Sequence, residues 1–208
     1  MARWQPDARG RLLLAAVDLF TEQGYDATTA AHIAQRAGLT KTTLFRLFAD
    51  KREILFQGQA AQVSTAAAGV SSAPEGASAV DLLHCGLQAL CAEHVPEQQE
   101  LGRRINSLIA TSEELQERAA FKRATIAAAL SAAMAARLQD PRQAVPLADV
   151  GVRAYYDGFA AWTDARRAEG LAEVVLDELD GLLSSLRSAL TGVTPSAGQV
   201  RRRVRSVR

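Results

Sequence analysis

The 208-residue sequence predicts an all-α protein, with an N-terminal three-helix helix-turn-helix domain, a C-terminal helical bundle and about nine helices in total. Three observations carry this prediction. Apolar residues recur at spacings of three and four through most of the chain, and no run alternates at the period of two that a strand needs. Thr28–Leu55, TTAAHIAQRAGLTKTTLFRLFADKREIL, reads as two short helices meeting at a glycine corner about three to four residues long. Turn clusters and capping pairs then divide the remaining chain into helix-sized pieces.

Residues 1–7 form an arm. From about Asp7 to Gln23, Leu13, Ala16, Val17 and Phe20 mark one buried stripe, and Gly24 stops that helix. Thr28 or Thr29 caps a second helix carrying Ala30, Ile33, Ala34 and Ala37. Gly38 supplies the left-handed residue that closes it. Thr40 caps a third helix whose Leu44, Leu47 and Phe48 turn inward, leaving Lys41, Thr42, Thr43 and Arg46 outward as donors to phosphates or base edges. Asp50 with Glu53 makes a capping-box start for a fourth helix running on through Leu55 and Phe56.

The turn cluster SSAPEGAS at 71–78 marks a boundary, and Ser78 caps a fifth helix reaching about His94. A sixth helix spans roughly Glu97–Ala110, and Thr111 with Glu114 opens a long seventh to about Leu138. Asp140-Pro141 and Pro146 bracket a loop before an eighth helix, Leu147–Glu169. The ninth, Leu171 to about Thr191, carries the cleanest aliphatic stripe, Val175, Leu179, Leu182, Leu183, Leu186 and Leu190, and this stripe is expected to form a homodimer interface. Residues 193–208 read as a disordered basic tail. The domains are therefore 1–55, 56–192 and that tail.

Net charge is only +1, but its distribution is uneven. Residues 1–55 carry eight basic and six acidic groups, residues 199–208 carry five arginines and no acid, and the chain between has a balance of −6. Acidic charge thus lies where nucleic acid need not approach. The two cysteines, Cys85 and Cys91, form no CxxC pair, which fits free thiols in a reducing cytoplasm. No signal peptide or membrane span is expected, since no apolar run reaches about 18 residues.

The Thr28–Leu55 stretch resembles the DNA-binding domain of the TetR family of bacterial transcriptional regulators. The residues carrying the resemblance are Thr28-Thr29, Ile33-Ala34, Ala37-Gly38-Leu39-Thr40, Leu44-Phe45, Phe48 and Lys51-Arg52-Glu53-Ile54-Leu55. Ala31 replaces a frequent basic residue, Leu47 a common polar aromatic, and Phe45 the usual tyrosine, so Phe45 lacks the hydroxyl that would reach a phosphate. The resemblance covers about the first quarter of the chain. It implies a ligand-responsive homodimeric regulator, a repressor, that binds a palindromic double-stranded operator and is released by a small effector. It adds Thr28, Thr29, Thr40, Phe45 and Lys51 to the DNA-binding candidates.

In the bundle, Tyr155, Tyr156, Phe159 and Trp162 gather aromatic mass that either packs the core or lines a pocket for an apolar or amphipathic effector. His84, Gln88, Arg104 and Asn106 are the candidate polar contacts, with Tyr155, Phe159 and Trp162 as the apolar ones. No metal is expected: His84 and Cys91 lie about 10.5 Å apart along a helix, and Cys91 with His94 lacks the further ligands of a structural site. No cofactor motif and no nucleophile–base constellation is present, so no enzyme activity is expected. A regulator controlled by a protein partner, without a small-molecule pocket, and an all-α bundle enzyme are the alternative readings.

Overall fold

The computed structural model describes residues 8–92, 94–164 and 169–191. The N-terminal arm and the basic tail lie outside the described residues. Among the described residues the chain forms nine α-helices and no strand: α1 Ala8–Gln23, α2 Ala30–Arg36, α3 Lys41–Leu47, α4 Gln59–Ser71, α5 Ala79–Cys91, α6 Gln99–Thr111, α7 Glu113–Ala135, α8 Ala144–Asp164 and α9 Leu171–Thr191. None of these helices is long and apolar enough to cross a membrane.

Helix α1 buries Leu12, Ala16, Val17 and Phe20, with Leu13 only partly covered. Thr29 caps α2, its hydroxyl accepting from the His32 N–H at 3.2 Å. Gly38, at φ 64°, turns the corner, and a side chain there would also meet the Arg11 guanidinium at 2.8 Å. That guanidinium donates to the Ala37 and Gly38 carbonyls and so satisfies the corner. Thr40 caps α3 by accepting from the Thr43 N–H at 3.1 Å.

The continuous fourth helix expected from Asp50 does not form. Asp50 Oδ1 does accept from the Arg52 and Glu53 N–H groups, both at 3.0 Å, but they launch only a single 3-10 turn, Arg52–Ile54. Glu53 turns away from the cap because both its oxygens accept from Arg118, at 2.5 and 2.9 Å. Gly58, at φ 87°, then breaks the chain direction before α4.

Further on, Ser112 rather than Thr111 caps α7, because the Thr111 hydroxyl donates back to the Leu108 carbonyl at 2.9 Å. Helix α8 starts earlier than expected because Pro146 sits in its first turn, where no N–H is needed, and it is described as far as Asp164. The stripe on α9 is spent largely within the chain. Val175 and Leu179 are fully buried in the bundle core, and Leu182 and Leu183 pack on its edge. Only Leu186 and Leu190 face outward, at 47% and 74% exposure. Within the chain, α8 and α5 already cover the N-terminal half of α9, and its C-terminal half, with Leu186 and Leu190, is left uncovered.

Two cores result. One fills the bundle between α4, α5, α7, α8 and α9. The other joins α1–α3, Ile54, Leu55 and Phe56 to Leu108 of α6 and to Leu115 and Ala119 of α7. Two salt bridges and a hydrogen bond rim this second core: Arg104–Asp18 at 2.8 Å, Arg118–Glu53, and a Tyr25 hydroxyl that donates to Glu114 at 2.8 Å. Arg118 also donates to Gln59 Oε1 at 2.5 Å, so one side chain ties α7 to both ends of the broken fourth segment. Its guanidinium holds the Glu53 carboxyl below the ordinary carboxylate range.

Arg118→Met should leave Glu53 half-buried without its partner and cost about 1–3 kcal/mol of stability. Urea denaturation checks this; an unchanged midpoint would show that the bridge contributes nothing net.

Candidate functional site

Helix α3 is anchored by buried Leu44, which leaves Lys41, Thr42, Phe45 and Arg46 exposed together on the opposite face. The Lys41 ammonium lies 5.7 Å from the Phe45 ring centroid. Neither α2 nor α3 contains an acidic residue. Arg46 makes no hydrogen bond or ion pair among the described residues, so its planar donor fork is available to a phosphate or a guanine edge. Thr29 and Thr40 are exposed, their hydroxyls occupied in capping, and Thr43 Oγ1 lies 2.9 Å from Thr40 Oγ1.

Two expected DNA contacts are placed differently. Thr28 is 1% exposed, and its hydroxyl donates to the Gly24 carbonyl at 2.8 Å, fixing the loop before α2. Lys51 donates to the Tyr25 and Thr28 carbonyls at 2.7 and 3.0 Å, and its ammonium lies 4.0 Å from the Tyr25 ring centroid. Its charge is thus engaged by the same loop instead of standing free for a phosphate.

The second site is a cavity of about 440 Å³ within the bundle, bounded by α4, α6, α7 and α8 and by the segment after the 3-10 turn. Leu55, Phe56, Ile105, Ile109, Ala119 and Phe159 make its apolar wall. Its polar groups are Gln62, His94, Asn106, Gln116, Lys122, Arg123, Tyr155 and Tyr156, and among the described residues no carboxylate lines it. Gln62 Nε2 reaches the Tyr155 hydroxyl at 3.5 Å, and that hydroxyl lies 3.4 Å from His94 Nε2. Gln62 Oε1 and the Tyr156 hydroxyl are buried with no hydrogen-bond partner among the described residues. Burial pushes the Tyr156 phenol up to about 12, so it stays a donor at neutral pH. The exposed Arg123 guanidinium covers the Tyr156 ring at 4.5 Å, at the rim of the cavity.

Lys122 is only partly buried by area, yet enough protein surrounds its ammonium to push its pKa down to about 8, chiefly by burial and then through the Arg118 guanidinium. A more open cleft of about 780 Å³ lies between the two domains, lined by Arg9, Phe48, Arg52, Phe56 and Arg118. Its inner cations are already paired: Arg52 with Asp50 at 3.1 Å, and Arg118 with Glu53.

Of the expected ligand contacts, the structure brings Asn106, Tyr155 and Phe159 to the cavity. Trp162 stands behind it, 1% exposed, donating to the Glu169 carbonyl at 3.1 Å. His84 points instead at α9, 4.0 Å from Asp180, and Gln88 is exposed. Arg104 is held by Asp18 at the domain junction. Residue spacing alone did not separate these helix faces. Gln62, Lys122 and Arg123 are cavity residues that the sequence did not suggest, Tyr156 is one of the aromatics it offered for a pocket, and His94 lines the cavity as a pocket residue rather than a metal ligand. A signal for Lys122 was present: it falls in the buried stripe Leu115, Ala119, Ile126, Leu130 of α7, three residues after Ala119 and four before Ile126. Among the described residues no cluster of three or more His, Cys, Asp or Glu could hold a metal, and Cys85 and Cys91 are free.

Residues 12–57 match the family model described as bacterial regulatory proteins, tetR family. The HTH-type transcriptional regulator YvkB of Bacillus subtilis is 36% identical over 76 residues, 36% of this chain and 40% of that protein. The transcriptional activator FasR of Mycolicibacterium smegmatis is 36% identical over 67 residues, 32% of this chain and 31% of that one. The chain thus spans less than half the length of these relatives. Among solved structures, Thermus thermophilus FadR, a TetR-family repressor in complex with lauroyl-CoA, is similar over 84% of this chain and 93% of its own, with TM-score 0.50 and 21% identity. The fatty acid degradation regulator FadR of Bacillus halodurans is similar over 89% and 99%, with TM-score 0.54 and 14% identity. At these identities the likeness is one of fold.

The depressed Lys122 pKa has a measurable consequence. An unfolded lysine titrates near about 10.4, so between about pH 8 and that value the unfolded chain holds more protons and stability should rise with pH. Lys122→Met should remove this rise, seen as a wild-type minus variant difference in urea midpoints from pH 7 to 10. A flat difference would mean that the ammonium is fully hydrated.

Proposed function

Because the chain belongs to the tetR family of bacterial regulatory proteins through its helix-turn-helix segment, we propose that it is a dimeric transcriptional repressor whose operator binding is released by a small apolar or amphipathic effector held in the bundle cavity. One observation carries this reading: Leu55, Phe56 and Ala119 belong both to the core under the DNA-reading helices and to the cavity wall. A molecule entering the cavity touches the residues on which the reading domain sits. That the Thermus thermophilus FadR complex holds lauroyl-CoA, an amphipathic molecule, supports this class of effector.

The mechanism follows from geometry. Two α3 helices in a dimer must lie about 34–36 Å apart, or a multiple of that, to enter successive major grooves. An effector that prefers one packing of α6, α7 and the Leu55–Phe56 segment changes that separation. It lowers DNA affinity only by the ratio of its affinities for the two packings. The second copy is supplied through the outer half of α9, where Leu186 and Leu190 are exposed aliphatics.

Selection of duplexes from a random library should return an inverted repeat; enrichment of a single unrepeated site would overturn the dimeric reading. Arg46→Ala should cost about 1–3 kcal/mol on the selected operator and relax the preference at one base pair per half-site, as measured on singly mutated duplexes. Equal loss on every duplex would assign Arg46 to the phosphates instead. Leu186→Glu with Leu190→Glu should give a folded monomer by sedimentation that no longer binds the operator, because neither side chain supports the intrachain core.

A further inference from the structure

The cavity is not neutral in chemistry, and its imbalance is specific. The bundle sequence is rich in acid, yet among the described residues no Asp or Glu lines the cavity, while Lys122 and Arg123 both do. Lys122 occupies a position in the buried stripe of α7 that its neighbours Ala119 and Ile126 fill with apolar side chains. It makes no hydrogen bond or ion pair among the described residues. A lysine in such a position ordinarily has a carboxylate opposite it or extends its ammonium into water. Here the ammonium has lost enough hydration for its pKa to fall to about 8. Two neutral groups, Gln62 Oε1 and the Tyr156 hydroxyl, are buried in the same wall without partners among the described residues. Tyr156 can donate to an oxygen anion. The domain-junction cleft shows the contrast, since its inner cations, Arg52 and Arg118, already have Asp50 and Glu53 beside them.

We propose that the bundle cavity selects an apolar molecule bearing an acidic group, a carboxylate or its equivalent, with Lys122 as the counter-charge and the Tyr156 hydroxyl as a second donor. The inference rests on the reading of this cavity as the effector site. An anion restores to Lys122 the charge partner that the chain withholds, and the apolar remainder of the molecule fills the space between Phe56, Ile105 and Phe159. A neutral molecule of the same shape leaves the ammonium uncompensated. A cationic one meets the like charge of Lys122 in a poorly hydrated space, with the Arg123 guanidinium at the rim besides.

The experiment compares decanoate, 1-decanol and decylamine, with 2-naphthoate and 2-naphthol as a second matched pair, by calorimetric titration of the full chain. In at least one pair the acid should bind at least about tenfold more tightly than its neutral partner, as expected of a desolvated charge pair, and decylamine should bind most weakly. Lys122→Met should bring each acid to within about threefold of its alcohol without weakening the alcohol. Lys122→Arg, which keeps the charge, should retain the preference. Equal or tighter binding of both alcohols by the wild type, a preference undiminished in Lys122→Met, or binding of none of the five compounds overturns the proposal. The same samples are then titrated onto the selected operator duplex. An acid that binds through Lys122 but leaves the duplex bound overturns the effector reading while the anion selectivity stands. Release by acid and alcohol alike overturns the selectivity while the effector reading stands.

Discussion

Leu108, Leu115 and Ala119 are bundle residues by position, yet they belong to the same buried cluster as Leu12, Val17, Phe20, Ile33 and Leu44 of the reading domain. The reason is one of size. Three helices of 16, 7 and 7 residues cannot enclose enough apolar surface to be stable alone, so the missing side of their core is supplied by α6 and α7. Everything that positions α3 therefore depends on how α6 and α7 sit. Arg104–Asp18, Arg118–Glu53 and the Tyr25–Glu114 hydrogen bond fix the register of that contact from the outside.

This arrangement makes the cavity and the reading domain neighbours through one helix. Along α7, Arg118 reaches Glu53 and Gln59, Ala119 enters the shared core, and Lys122 and Arg123 reach the cavity, all within two turns. Close-packed interiors shift between discrete packings instead of deforming smoothly. A ligand that displaces Phe56 or Ala119 therefore acts on the supports of α3 at first hand and needs no long relay. The break at Gly58 matters for the same reason: a continuous helix from Asp50 would have stiffened the very segment, Leu55–Phe56, that both sites share.

The reading domain was legible in the sequence because its signals are local. Gly38, the Thr29 and Thr40 caps and the spacing of Ile33, Ala34 and Leu44 each dictate a backbone geometry within a few residues. The limits of α9 were legible for the same reason. What could not be read were facts of tertiary assignment. The aliphatic stripe of α9 is the same pattern whether α8 or a second copy covers it. Glu53 at a capping-box spacing looks identical whether it turns back to Asp50 or outward to Arg118, 65 residues away. Lys51 and Thr28 match a family pattern by position, yet here each is satisfied by the loop before α2. Lys122 is the instructive omission. Its place in a buried helical stripe was visible, but only the absence of carboxylates from the described cavity wall, which is built from three other helices as well, gives that place a chemical meaning.

That absence also explains how an acidic bundle can hold a site for an acid. Residues 56–198 carry a balance of −6, and the acidic side chains among the described residues lie elsewhere than the cavity wall, many of them on exposed faces such as those of Glu113, Glu117, Asp149 and Asp177. At physiological salt such surface charges are screened over about 8 Å, whereas a charge inside a poorly hydrated wall is screened far less. The two populations therefore act at different ranges. On the proposed reading as a DNA-binding repressor, outer carboxylates disfavour contact between the bundle and the phosphate backbone, and leave that contact to the exposed Lys41–Arg46 face of α3. Inside, selectivity follows the few groups the ligand touches, and of these the uncompensated charge on Lys122 is the one a neutral wall could not imitate.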